Sequence, residues 1–172
     1  RLLEQAGIDS FAMESGVDES MFSSSEPFNL VQALALAKAK KVVSKLFLED
    51  SGAPSTKQIS AVLGCDSVFE FEGEIFGKPR DQQEATERLQ RMSSNSGYLH
   101  TGHAFLFSPV VIQLPEGNFF PSKFEKVVST CVRFSKMSSK EINTYVKTGE
   151  PMQCAGGFAL EGKGAVFISG IE

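Results

Sequence analysis

Asp66 closes an apolar run, Ile59-Ser60-Ala61-Val62-Leu63-Gly64-Cys65, that reads as a buried strand. A carboxylate at such a strand end can hold a divalent metal, or take a proton from water in a partly desolvated site. The plainer role for the same residue is to cap the following turn. Gly77-Lys78-Pro79 lies where a hairpin after that strand returns, so Lys78 could place a point charge on a phosphate at the same site. It could equally be a solvated lysine in a turn fixed by Gly and Pro. A Walker loop is excluded, since that needs a longer glycine-rich run and a Ser or Thr after the lysine. Lys38, within Ala37-Lys38-Ala39-Lys40-Lys41, sits in a helix where basic residues usually form a solvated face. Asp18-Glu19, in the loop before that helix, could complete a two-carboxylate magnesium site with Asp66, or be ordinary loop carboxylates. His100 and His103 are set aside as ligands, because a spacing of three on a strand sends them to opposite faces. The stretch from Gly156 to Gly164 is rich in glycine but lacks GxGxxG and a strand-to-helix setting.

The elements that must position these residues can be read in order. Leu2 to Ala6 is the end of a helix stopped by Gly7, and Ile8 to Glu14 is readable as a strand. Pro27 suits a first helical turn, opening a helix from Phe28 to about Leu48 with an apolar stripe of Leu30, Leu34, Ala37, Val42 and Leu46. Glu49 to Gln58 is a surface loop. Val68 to Phe76 is a hairpin around Glu72-Gly73. Asp81-Gln82-Gln83-Glu84 and Ser138-Ser139-Lys140-Glu141 have capping-box spacing, opening helices to about Met92 and Lys147. Tyr98 to Phe107 and Lys123 to Phe134 are strands separated by a turn at Pro115-Glu116-Gly117-Asn118, and Ala165 to Ile171 is a last strand. Strands and helices in both alternating and hairpin order predict an α/β fold with a mixed sheet.

Composition bounds the function. The 172 residues suit one domain, and 41% hydrophobic content with 15 Phe supports a packed core. A net charge of −4 argues against holding long nucleic acid by bulk electrostatics, though not against a small anion held by a few lysines. Cys65, Cys131 and Cys154 are odd in number with no CxxC pair, which points to a reducing compartment, the cytoplasm, and away from disulfides or zinc. No apolar run is long enough to span a bilayer, so no membrane partner is expected.

Taken together, the segments resemble the Maf proteins. Val17-Asp18-Glu19, Leu36-Ala37-Lys38-Ala39 and Gly64-Cys65-Asp66-Ser67-Val68 are similar to that family's "VDE" loop, "KA" helix and "ADTV" strand. Gly73 to Pro79 resembles its "GxIxGKP", Thr101-Gly102 its following strand, and Tyr145 to Gly156 its "YxxxxEPxxxAG". The resemblance implies an elongated sheet flanked by helices, in two lobes with the active cleft between them. It further implies a divalent cation, Mg2+ or Mn2+, and hydrolysis of a nucleoside triphosphate between its α- and β-phosphates. On it, Asp66 accepts the proton of the attacking water and contributes to the metal site, Glu19 helps bind the metal, and Lys38 and Lys78 hold phosphates, so that placed charge stabilises the breaking bond. A homodimer is the assembly left open.

The same resemblance implies a Ser-rich, Arg-containing phosphate loop before Arg1 and an "SNVxGLP" segment after Glu172, so residues 1–172 are expected to be a single Maf-like domain lacking both. Phe158-Ala159-Leu160-Glu161-Gly162 is closer to the "FxxEG" of members acting on 7-methyl-GTP than to the "YxIQG" of those acting on dTTP and UTP. That makes Glu161 the expected reader of the base, since a carboxylate accepts from a guanine's N1–H and amino group. The alternative is a cap on the Gly162-Lys163-Gly164 turn. Competing functions are a dTTP/UTP-type pyrophosphatase and a non-catalytic regulator linked to arrest of cell division.

Overall fold

The computed structural model describes residues 2–47, 59–107 and 122–172. The surface loop expected at Glu49 to Gln58 and the turn at Pro115-Glu116-Gly117-Asn118 lie outside these residues.

A short helix α1 (Leu2–Gln5) ends as its glycine predicts. Gly7 has φ +74°, its N–H bonds Glu4 O at 2.9 Å, and the N–H of Ile8 bonds Leu3 O at 2.8 Å, which satisfies carbonyls the helix leaves open. Residues 8–14 form no strand, and Ile8 and Phe11 are exposed. Phe11 and Met13 share one face of a two-residue repeat with Asp9, and Ile8 falls on the other with Ser10 and Glu14, so neither side is wholly apolar. Helix α2 (Pro27–Phe47) follows.

Strand β1 (Ala61–Phe71) pairs with β2 (Glu74–Phe76) and with β3 (Ser96–Phe107). β3 pairs with β4 (Lys123–Phe134), and β4 with β5 (Ile168–Ile171), in the order β2-β1-β3-β4-β5. The α/β class and the helix-flanked sheet are as expected, but every described pairing is antiparallel, so the sheet is not mixed among these residues. The last strand also starts three residues later than expected, because Lys163–Phe167 is a 3-10 turn. β1 does not stop at Asp66; it runs on to the hairpin at Glu72 and Gly73, with φ of 53° and 79°, the paired left-handed conformation of a tight two-residue connection.

Helix α3 (Gln82–Met92) and helix α4 (Ser139–Val146) begin at the expected caps. At Ser138 both halves of the capping box form. At Asp81 only one does: its side chain accepts from Glu84 N at 2.8 Å, while the Glu84 carboxylate turns back to Arg80 instead.

Two cores lie on opposite faces of the sheet. On one, α2 covers Val62 and Ala104 with Ala35, Ala39 and Leu46. On the other, Phe69, Phe71 and Phe134 pack with Leu89, Ile142 and Phe158 beneath α3 and α4. There Phe69, Phe134 and Phe158 meet edge to face at centroid distances of 5.9, 5.0 and 5.0 Å. The buried stripe of α2 is Val31, Leu34, Ala35, Ala39 and Leu46, with the expected Leu30 and Ala37 only half-buried. The shift has a cause in the sheet. A Cβ on Gly64 would lie 2.1 Å from Ala35 O, and one on Gly102 would lie 2.2 Å from Val31 O, so the helix rests on the strands by its backbone. Small residues must face the sheet where that happens.

Gly102→Val should therefore destabilise the domain by at least roughly 1–3 kcal/mol through overpacking. Gly77→Ala, whose Cβ would meet nothing within 4 Å, should cost well under half as much. Midpoints of urea unfolding would check the contrast, and equal losses would mean α2 can lift away without penalty.

Candidate active site

Asp66 stands opposite Gly102 in the β1–β3 ladder, and Gly64 stands opposite Ala104. Directly paired residues and residues two apart share a face, so Asp66 points to the side on which α2 lies. With the helix backbone against Gly64, Lys38, next to Ala39, is brought onto the carboxylate: its ammonium donates to Asp66 Oδ1. The same Nζ lies 2.7 Å from Glu19 Oε1. Glu19 belongs to a 3-10 turn, Glu19–Met21, capped by Asp18, whose side chain accepts from Ser20 N at 3.0 Å. Of the two loop carboxylates, Glu19 thus enters the site and Asp18 is used in building the turn.

β2 pairs only with Phe69 to Phe71, so the preceding part of β1 has no described partner on that side. A cavity of about 570 Å³ opens along this edge, lined by Glu19, Lys38 and Asp66 from one wall and by Lys78, Gln153 and Ala155 from the other. It joins the two lobes, each with its own core. Asp66 is thus accessible in mid-strand because the sheet edge is open there, not because the strand ends.

Burial raises the Asp66 carboxyl above the usual aspartate range, against the hydrogen bond and charge of Lys38 and the more distant charge of Lys78. Lys38 is also partly desolvated, which alone would lower it, yet its bonds to Asp66 and Glu19 leave it raised. The two directions are compatible: the ammonium has two carboxylate partners, whereas the carboxylate has one ammonium in contact. The site therefore holds a protonated lysine beside an aspartate of increased basicity.

Lys78 is exposed on the loop after β2, where its charge reaches Asp66 and Cys154. The loop's Gly77 carbonyl accepts from Gly156 N at 3.1 Å and from Arg88 Nη1 at 2.8 Å. The glycine-rich stretch, unspecific as a sequence motif, is thus the backing of the Lys78 loop. Glu161 is exposed, close enough to Cys154 to act on it electrostatically, and bonds no described residue. It does not cap the Gly162-Lys163-Gly164 turn. That task falls to Glu150, whose carboxylate accepts from Lys163 N at 3.0 Å, Gly164 N at 2.9 Å and the Tyr145 hydroxyl at 2.9 Å. Burial opposes the charge on Glu150, but these donors hold its carboxyl below the usual glutamate range.

His100 and His103 take opposite faces, as their strand spacing requires. Among the described residues no group of three or more His, Cys, Asp or Glu could hold a metal ion. His100 is instead a cross-strand tie, Nε2 to Glu70 Oε2 at 3.0 Å and Nδ1 to Ser129 Oγ at 2.8 Å. Sequence reasoning does not single out Arg88 or Glu150. Arg88 reads there as one more charge on a helix, and Glu150 as one position of the "YxxxxEPxxxAG" segment with no role given to it.

The site thus sets an aspartate and two lysines along one cleft of an α/β domain. A family model described as "Maf-like protein" matches residues 1–172, and the chain belongs to that family. It is 47% identical to a nucleoside triphosphate pyrophosphatase of Prochlorococcus marinus, across 99% of this chain and 81% of that protein. Proteins of the same name from Synechococcus sp. strains CC9605 and CC9311 are 47% and 51% identical, across 100% and 98% of this chain and 85% and 82% of theirs. No helix among the described residues is long and apolar enough to cross a membrane.

The Asp66 carboxyl should titrate above the ordinary aspartate value of about 3.9. Lys38→Met should raise it further, because the lysine's bond and charge both lower it. Carboxyl-carbon NMR across an acid titration reads both, and a fall on removing Lys38 would contradict the described contact.

Proposed function

We propose that the protein is a nucleoside triphosphate pyrophosphatase, cleaving its substrate to the monophosphate and pyrophosphate. The observation that carries this is the pairing of a half-buried, raised Asp66 with Lys38, lining one cleft with Lys78. The activity named for its relatives at 47–51% identity agrees with it. Lys38 and Lys78 draw the phosphates into the cleft. Lys38 bonds Oδ1 of Asp66 and leaves Oδ2 for a water. As that water attacks the α-phosphorus, its proton passes to Asp66 and the bond to the bridging oxygen breaks, releasing pyrophosphate. The raised carboxyl makes Asp66 a stronger base than a solvated aspartate, and the lysines neutralise charge gathering on the departing oxygens.

A divalent cation, Mg2+ or Mn2+, fits the donor set. Such a hard ion is commonly held by one or two carboxylates with phosphate oxygens completing its shell. Glu19 and Asp66, which already reach a common cation in Lys38, would hold it. When bound it supplies charge neutralisation on the phosphates.

Asp66→Asn keeps the side-chain shape but loses the basic oxygen. In the full-length protein it should lower pyrophosphate release by about 10²–10⁴-fold. The thermal midpoint should stay within a few degrees, as Lys38 keeps Glu19. A rate near wild type would remove Asp66 from the mechanism, and failure of wild type on every triphosphate of a broad panel would favour a non-catalytic regulator.

For the base, we infer a guanine of the 7-methyl-GTP type rather than dTTP or UTP. Glu150 already holds the glycine turn, which leaves the Glu161 carboxylate available to accept from a base. Once a bound base covers it, a pyrimidine carbonyl would set lone pair against lone pair, at about 1–3 kcal/mol per unpaired group so buried. Glu161→Gln should therefore shrink or invert a preference of about ten- to a hundredfold in initial rates. An unchanged ranking would overturn the base assignment and leave the pyrophosphatase reading standing.

A further inference from the structure

Lys78 is exposed, on a loop that needs some other means of holding it in place. The segment from Gly77 to Arg80 is pinned at both ends by two residues one turn apart on α3. At its start, Arg88 Nη1 donates to Gly77 O at 2.8 Å. At its end, Glu84 Oε2 accepts from Arg80 N at 2.8 Å and from Arg80 Nε at 3.0 Å. Glu84 Oε1 and Arg88 Nη2 close the clamp at 2.7 Å. The guanidinium lies 4.5 Å from the centroid of Phe76, the last residue of β2, and the Arg88 side chain is 14% exposed. Pro79 rests against Gly157, where a Cβ would come within 3.2 Å of its ring.

We infer that the Glu84–Arg88 pair is a positioning device whose task is to aim Lys78 into the cleft; this rests on the phosphate-binding role given to Lys78 above. Two observations separate it from an ordinary helix pair. Most pairs four residues apart on a helix end on each other, with both heads in solvent. Here each partner spends a second group on the backbone of one loop. The guanidinium also has the planar fork needed to reach a carbonyl and a carboxylate at once, which a lysine ammonium does not offer in fixed geometry. Glu84 is held down to about 2, first by the Arg80 backbone N–H and then by the Arg80 side chain, so the clamp stays charged throughout the neutral range.

The test is a double-mutant cycle between Arg88→Met and Lys78→Ala in the full-length protein. Methionine keeps apolar bulk over Phe76 while losing both hydrogen bonds. Binding of inorganic tripolyphosphate by calorimetry is the primary readout, since it needs no turnover; KM and kcat for the preferred triphosphate are the second. Arg88→Met should weaken tripolyphosphate about tenfold and raise KM more than it lowers kcat. In the Lys78→Ala background the same change should cost less than about threefold. Glu84→Gln, milder in its effect on folding, should move binding the same way by a smaller factor. If the two losses multiply, or if Arg88→Met shifts only the thermal midpoint, the pair is structural and the inference falls. Coupling in tripolyphosphate binding without pyrophosphate release by wild type would keep the clamp and reject the pyrophosphatase reading.

Discussion

Helix α2 touches the sheet with its backbone at two glycines, and the working part of the molecule is organised around that approach. Gly64 and Gly102 lie on the same face as Asp66, one of them directly opposite it. A side chain at either would lift the helix by the thickness of a methyl group or more. Lys38 would then leave the carboxylate, and the ammonium would lose one of the two partners that keep it charged. The packing of a strand against a helix thus decides an electrostatic pairing, and the pairing moderates a carboxyl that burial raises.

The cleft exists because the two cores do not meet. One grows on the α2 face around Ala35, Ala39 and Ala104, the other on the opposite face around the phenylalanines of β1 and β4. β1 belongs to both, and where it passes from one to the other its edge has no described partner. Asp66 sits at that crossing, partly desolvated by its surroundings yet open to a ligand. Other groups brace the surroundings: Asp18 builds the turn that carries Glu19, and Glu150 holds the turn beside Glu161. Such support keeps charged groups at fixed separations, which matters because their interaction falls with distance and with access of water.

Much of this is legible in the chain because local signals are strong. Pro27, the Ser138 box, Gly7 and the Glu72-Gly73 turn each act within a few residues, and the elements start or stop there as expected. The ordered motifs also single out Glu19, Lys38, Asp66 and Lys78, which the structure brings to one cleft. What stays hidden depends on partners distant in sequence. Periodicity misplaces the stripe of α2 because the glycines that select it are on β1 and β3. Asp66 looks like a strand end because an apolar run stops there, while the ladder with β3 carries the strand past it. Arg88 escapes notice for a similar reason: its meaning lies in a carbonyl eleven residues away.

β3 is paired on both sides along nearly its whole length, from Tyr98 to Phe107 with β1 and from Ser96 to Leu106 with β4. Amides paired on both sides in this way are expected to be among the last released when the domain breathes. The wall that carries Asp66 is fastened directly to this strand, opposite Gly102, whereas the wall that carries Lys78 joins the sheet through the short β2 and through α3. On the reading of the cleft proposed above, a loosened second wall would release Lys78 while Asp66 stayed fastened to β3, and a polyphosphate would be lost before the proton acceptor was displaced.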